Sequence, residues 1–321
     1  MSEFITMGEP LVIFAATQID SSLVDATNFD KTMGGAELNV AIGVSRLHHS
    51  TQYISQVGDE PLGAYVEKTI QHHHVGTKYL RQVRNLGTGH QFKQLVSHGD
   101  PGITYYRKNS AASKIETAAV DQVDLSDVRI GHLSGIFAAV SEETLTAEKR
   151  LMQRLTEKGA LVTFDPNLRP QLWPNQTKMI QTINELATHA DVILPGIGEG
   201  KILTGYDTPE DIANFYLSNR QTKAVIVKVG PKGSYVKARH EQGYFVSGFH
   251  VEHVVDTVGA GDGFALGVIS ALLEHKSLKE AALRGNAIGA LQVQTPGDND
   301  GYPTPEQLAL FYQRNQVVIS S

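Results

Sequence analysis

Cysteine is absent from the chain, which excludes disulfides and thiolate metal sites and fits a cytoplasmic enzyme. Positive charge is in deficit: 28 Lys and Arg stand against 34 Asp and Glu, for a net charge of −6. No basic stripe interrupts that balance, so a nucleic-acid partner is not expected. Long apolar runs are missing as well. The N-terminal run, Leu11 to Ala16, falls far short of the roughly 20 residues of a membrane helix, and no basic segment precedes it as in a secretion signal. A membrane partner is therefore not expected, and the expected location is the cytoplasm. No linker, long repeat or low-complexity tract divides the 321 residues, so residues 1–321 are expected to form a single domain. Tryptophan occurs once, and Trp173 within Leu172-Trp173-Pro174 reads as a packing anchor.

What is present is an ordinary globular composition, 41% apolar and 19% charged, arranged as alternating strand and helix patterns. Leu11–Ala16 reads as a strand buried on both faces, and Gly34-Gly35 opens a helix over 36–44. Strands are expected at 51–57, 160–164, 191–194 and 224–229, with helices at 61–72 and 177–188. This spacing predicts an α/β fold: a doubly wound, mostly parallel sheet with right-handed crossovers, flanked by helices. Two segments break the rhythm. Asp20–Met33 is polar, and Thr88–Lys108 alternates polar and apolar residues, which suggests half-exposed antiparallel strands apart from the main sheet. Segments 15–33 and 88–110 are expected to form a small β-sheet lid.

The most informative segment runs Asp256-Thr257-Val258-Gly259-Ala260-Gly261-Asp262-Gly263-Phe264. Its glycines permit tight backbone turns, and the free N–H groups of the following helix start favour an anion. A carboxylate beside an anion site opposes the anion's charge. It makes sense where a phosphoryl group is held and a proton must also be taken from an attacking hydroxyl. His72-His73-His74 offers no comparable chemistry, because neighbouring side chains on a helix point in different directions.

This segment resembles the C-terminal signature of the ribokinase-like (PfkB) carbohydrate kinases. Four further motifs match that family in order: Gly34-Gly35-Ala36-Glu37-Leu38-Asn39-Val40-Ala41, Val57-Gly58-Asp59-Glu60-Pro61-Leu62-Gly63, Lys228-Val229-Gly230-Pro231-Lys232-Gly233 and Gly285-Asn286-Ala287-Ile288-Gly289-Ala290. The resemblance implies a ribokinase-like fold, ATP and Mg²⁺ as cofactors, possible use of K⁺, and a homo-oligomer formed through the lid. It further implies that Asp262 is the base and that the N–H groups of Gly259, Ala260 and Gly261 form the anion hole. ATP would lie against Lys228, Gly230, Gly233, Gly259, Gly261 and Asn286. Glu199 would organise Mg²⁺ through water, although Gly196 stands where the family often has Asn. Asp256 is either a cap beside the helix or a ligand of a monovalent cation.

Within the family, Gly8-Glu9-Pro10-Leu11, Tyr105-Tyr106-Arg107 and Asp165-Pro166-Asn167-Leu168-Arg169 are most similar to 2-keto-3-deoxygluconate kinases. The expected small-molecule partners are then a sugar acid and ATP. Arg107 and Arg169 are the candidates to hold a carboxylate, since a planar guanidinium can grip one bidentately. Tyr105, Gly34, Gly35, Asn39 and Asp262 would contact the rest of the sugar. Both arginines also admit a reading as ordinary surface ion-pairing residues. Rival functions are a fructokinase or other neutral-sugar kinase, and a non-catalytic sugar or nucleotide sensor.

Overall fold

A computed structural model describes residues 2–99 and 101–317. These residues form thirteen strands and eleven α-helices. The strands are β1 (Phe4–Met7), β2 (Leu11–Ile19), β3 (Phe29–Gly34), β4 (Thr51–Gly58), β5 (Gly76–Val83), β6 (His90–Leu95), β7 (Ile103–Tyr106), β8 (Ile130–Ser134), β9 (Leu161–Asp165), β10 (Val192–Ile193), β11 (Ala224–Lys228), β12 (Gly233–Ala238) and β13 (Tyr244–Ser247). The helices are α1 (Ala36–Arg46), α2 (Pro61–His72), α3 (Thr117–Asp121), α4 (Gly135–Ala138), α5 (Glu142–Lys158), α6 (Gln176–Ala187), α7 (Ile197–Thr204), α8 (Pro209–Leu217), α9 (Ala260–Leu273), α10 (Leu278–Gln292) and α11 (Pro305–Arg314).

Nine strands form the main sheet in the order β13-β12-β11-β10-β9-β8-β1-β4-β5. Six of its pairings are parallel, and only the β11–β12–β13 edge is antiparallel. Helices cover both faces, so alternate residues of one strand enter different cores. Ala224 and Ile226 pack with residues of α1, α2, α9, α10 and α11, whereas Val225 and Val227 pack with residues of α3 to α8. Burial on both faces is why these strands read as continuous apolar runs. The helices start where the sequence supplies capping groups. Glu60 accepts from Leu62 N–H and Gly63 N–H ahead of Pro61, and Ser141 and Ser277 complete capping boxes on α5 and α10.

The remaining four strands form a second, smaller sheet in the order β3-β2-β6-β7. Here the structure corrects two expectations. Leu11–Ala16 belongs to this sheet rather than the main one; Val12 is fully buried, but the strand runs on to Ile19, which is 64% exposed. The strand that opens the main sheet is β1, whose four residues are too few to show a period. The small sheet is also not wholly antiparallel, because β2 and β6 pair in parallel while β2–β3 and β6–β7 are antiparallel. Among the described residues, no helix is long and apolar enough to cross a membrane.

Candidate active site

In open α/β sheets ligands collect beyond the carboxyl ends of the strands, and the candidate residues gather there. Asp165 ends β9, Lys228 ends β11, and the 256–264 segment leads into α9, where a Cβ at Gly261 would lie 3.8 Å from Lys228 Nζ. Gly259 caps α9 in the left-handed region at φ 75°, and a Cβ there would run into the Asp298 carbonyl. Both facts demand glycine. No side chain caps α9, so its first N–H groups remain free for a ligand. Ala260 N–H lies 3.3 Å from Thr257 O, a long local bond, so Gly259 and Gly261 keep the more open donors. Tyr302 Oη–H donates to Gly259 O at 2.8 Å and braces the turn from behind.

Asp262 occupies the first turn of α9 and is half-buried. Asn39 Nδ2 on α1 donates to its Oδ2 at 2.9 Å, joining residues 223 positions apart. Burial raises the Asp262 carboxyl to about 7; the Asn39 hydrogen bond and Arg169 oppose the rise, and Asp165 and Glu37 reinforce it. Asn39 is 2% exposed and its Oδ1 accepts from Asn299 Nδ2 at 3.0 Å. Its amide thus spans Asp262 and the 295–301 loop and holds the carboxylate in place. Arg169 lies close enough to act on Asp262 electrostatically, and its Nη1 donates to Leu168 O at 2.9 Å.

A cavity of about 700 Å³ opens beside this helix start, lined by Lys228, Gly230, Gly233, Gly261, Phe264 and Asn286 among others. It lies within the size range of small-molecule sites. Lys228 forms a buried ion pair with Asp165, Nζ to Oδ2 at 2.6 Å, with side chains 17% and 4% exposed. Asn286 Nδ2 donates to the carbonyls of Val246 and Ser247, both at 3.1 Å, so it ties α10 to β13 at the cavity wall.

The metal candidates are committed to protein groups. Glu199 accepts from Leu168 N–H at 2.9 Å and from Gly196 N–H at 2.7 Å, bracing the strand ends against α7. Each carboxylate oxygen still has lone-pair capacity for water. Asp256 Oδ1 accepts from Val258 N–H at 3.0 Å, and its Oδ2 lies 3.6 Å from Lys93 Nζ on β6 of the small sheet. Among the described residues, no three His, Cys, Asp or Glu groups cluster to hold a metal directly.

Further candidates lie on or beside the small sheet. Gly34 ends β3 against the Asp298 carboxylate and Ile13. Gly35 caps α1. Tyr105 on β7 is 44% exposed. Arg107 is bound by Glu9, which its Nε and Nη2 reach at 2.7 and 2.5 Å. The sequence reading missed the parts played by Glu9, Asp165, Asp298 and Asn299. Glu9 and Asp165 stand inside the family-like motifs, but nothing in the sequence pairs them with Arg107 and Lys228. Asp298 and Asn299 sit in a polar turn-rich loop that carries no periodic signal.

A helix start with free N–H groups, a raised carboxyl beside it and an adjoining cavity with a lysine are the parts that phosphoryl transfer requires. Comparison with known proteins gives the family. The model of the pfkB family carbohydrate kinases matches residues 7–305. The chain belongs to that family. It is 44% identical over 315 residues to a 2-dehydro-3-deoxygluconokinase of Bacillus subtilis, a match covering 98% of this chain and 96% of the relative. It is 31% identical to a probable fructokinase-6 of Arabidopsis thaliana, covering 94% of this chain and 80% of that one. A solved structure of a putative ribokinase II from E. coli in complex with ATP and Mg²⁺ superposes with a TM-score of 0.88 at 26% identity, covering 98% of this chain and all of that one.

Proposed function

We propose that the protein transfers the γ-phosphoryl group of ATP to the primary hydroxyl of 2-keto-3-deoxygluconate, giving the 6-phosphate. The observation that carries the reaction is Asp262, a carboxyl raised to about 7, held by Asn39 at the open start of α9. The 44% identity to a 2-dehydro-3-deoxygluconokinase over nearly all of both chains supports this substrate over fructose. Two guanidinium groups, Arg107 and Arg169, also supply the means to hold a carboxylate.

The cavity volume, its lysine and the free helix-start N–H groups fit a nucleotide whose phosphates end at α9. ATP supplies the phosphoryl group, and Mg²⁺ bound to its phosphates supplies neutralising charge. With no direct metal cluster among the described residues, Glu199 and Asp165 would meet Mg²⁺ through water, in keeping with its reluctance to lose hydration. Asp262 accepts the proton of the attacking hydroxyl, and the N–H groups of Gly259 and Gly261 stabilise charge on the transferring group. Lys228, Gly230, Gly233 and Asn286 line the nucleotide side. Gly34, Gly35, Asn39, Tyr105, Arg107 and Arg169 form the sugar side under the small sheet, which acts as a lid. The protein acts in the cytoplasm as a homo-oligomer joined through that sheet, and Asp256, which accepts from Val258 N–H and faces Lys93, caps the turn before α9.

A coupled ADP-release assay across acid and neutral sugars tests the reading. The acid sugar should be turned over at the highest kcat/KM, and Arg107→Ala should raise its KM far more than that of fructose, by roughly 10–100-fold for a lost charge-assisted contact. A wild-type preference for fructose would move the assignment to a fructokinase. Tight binding without turnover of any sugar would make the protein a sensor.

A further inference from the structure

The small sheet joins the body at four chain crossings, and all four meet at one buried residue, Glu9, which is 3% exposed. Glu9 lies on the first crossing, between β1 and β2. Its carbonyl packs against Gly35 on the second, where a Cβ would sit 2.6 Å away. Its Oε1 packs against Gly89 on the third, where a Cβ would again sit 2.6 Å away. On the fourth, Oε2 accepts from Arg107 Nε at 2.7 Å and pairs with Nη2 at 2.5 Å, and Oε1 accepts from Ser110 Oγ–H. Backbone bonds close the knot: Val12 N–H donates to Gly89 O at 3.0 Å and Ala111 N–H to Gly87 O at 2.8 Å.

A carboxylate this deeply buried is stable only when paired, and the pairing dictates how the arginine lies. Nε and Nη2 form the side edge of the guanidinium, and Glu9 takes that edge. The Arg107 side chain keeps 12% exposure, and its Nη1 has no hydrogen-bond partner among the described residues. The edge left over is a second parallel pair of N–H groups, the fork that matches another carboxylate. We infer that Glu9 is the positioning residue of the acid-sugar site: it clamps Arg107 by one edge so that the other is reserved for the sugar's carboxylate, and it couples that clamp to the seating of the small sheet. This rests on the acid-sugar reading above. A neutral sugar has no carboxylate for the reserved edge, so the clamp serves the acid sugar selectively.

A double-variant cycle tests it, using Glu9→Gln, Arg107→Gln and both together, with melting temperature recorded for each. The double variant removes both buried charges, so it is expected to fold even if a single variant is weakened. Glu9→Gln should raise KM for 2-keto-3-deoxygluconate about tenfold, the scale of one charge-assisted contact, with a smaller fall in kcat and no matching rise in KM for ATP. Glu9→Asp, which keeps the charge but retracts it by one methylene, should fall between wild type and Glu9→Gln. In the Arg107→Gln background, Glu9→Gln should add nothing further, because a residue that works only through Arg107 has nothing left to position. Multiplying effects in the double variant would overturn the inference, as would a KM within about twofold of wild type in Glu9→Gln or an equal rise for ATP. A wild type that turns over only neutral sugars would remove the acid-sugar reading and the clamp together. A wild type that prefers the acid sugar but shows multiplying effects removes the clamp alone.

Discussion

Replacing Asp262 by Asn keeps the shape of the side chain and removes only its ability to take a proton. The Asn39 Nδ2 that now lies 2.9 Å from Oδ2 fixes the orientation of the new amide, whose oxygen takes that hydrogen bond. The amide NH₂ then faces the sugar hydroxyl, a donor where an acceptor is needed. We expect kcat to fall by about 10²–10⁴-fold, the scale of a lost general base, with KM for both substrates moving little. The same change should stabilise the fold above neutral pH. The wild-type carboxyl rises from 3.8 to about 7 on folding, chiefly because burial disfavours its charge. A raised carboxyl gives up stability as pH climbs from 3.8 through about 7, since the unfolded chain ionises first. At about 1.4 kcal/mol per pH decade the loss would be bounded near 4 kcal/mol in a dry site, and water in the open cleft cuts it to about 1–2 kcal/mol. ADP-release kinetics at pH 8 and urea melts at pH 5 and 8.5 read both effects. A variant retaining more than about a tenth of wild-type kcat would refute the role of base. Equal stability of the two proteins at pH 8.5 would refute the burial argument.

Two further outcomes follow from the same geometry. The kcat/KM of wild type should rise about tenfold per pH unit up to about 7 and level off above it, because the free protein's base must first lose its proton; a profile flat between pH 5.5 and 8 would contradict this. Lys228→Met strands the buried Asp165 carboxylate 2.6 Å from where its partner stood, which should destabilise the fold by about 3–5 kcal/mol in urea unfolding. Adding Asp165→Asn should recover much of that loss, and a single variant as stable as wild type would show the pair to be dispensable.

The sequence by itself determined the class of fold, the position of most elements and the reaction. Strands buried on both faces write themselves as apolar runs, and helix starts carry glycines, prolines and capping groups, so α2 stands at the residues its pattern predicted. The glycine turn and Asp262 are legible as a candidate anion site with a candidate base because backbone freedom and charge are local properties. The assignment of Leu11–Ala16 to the main sheet failed because burial is visible in a pattern while the partner strand is not. Register and sheet membership depend on residues brought together from far along the chain.

Only the tertiary structure decided what each polar side chain faces. That Asn39 would hold Asp262 was decided only when α1 packed against α9 and set its amide on the carboxylate. Arg107 read as a carboxylate holder or a surface ion-pairing residue, and its partner Glu9 was named only when the chain between β1 and β2 buried that carboxylate beside it. The rise of Asp262 to about 7 comes from burial and from Asp165 and Glu37, both remote in sequence. Hydrogen bonds and desolvation act over a few ångströms of space whatever the separation along the chain. Local chemistry was therefore legible in the sequence, and the pairing of charges was settled only by the fold.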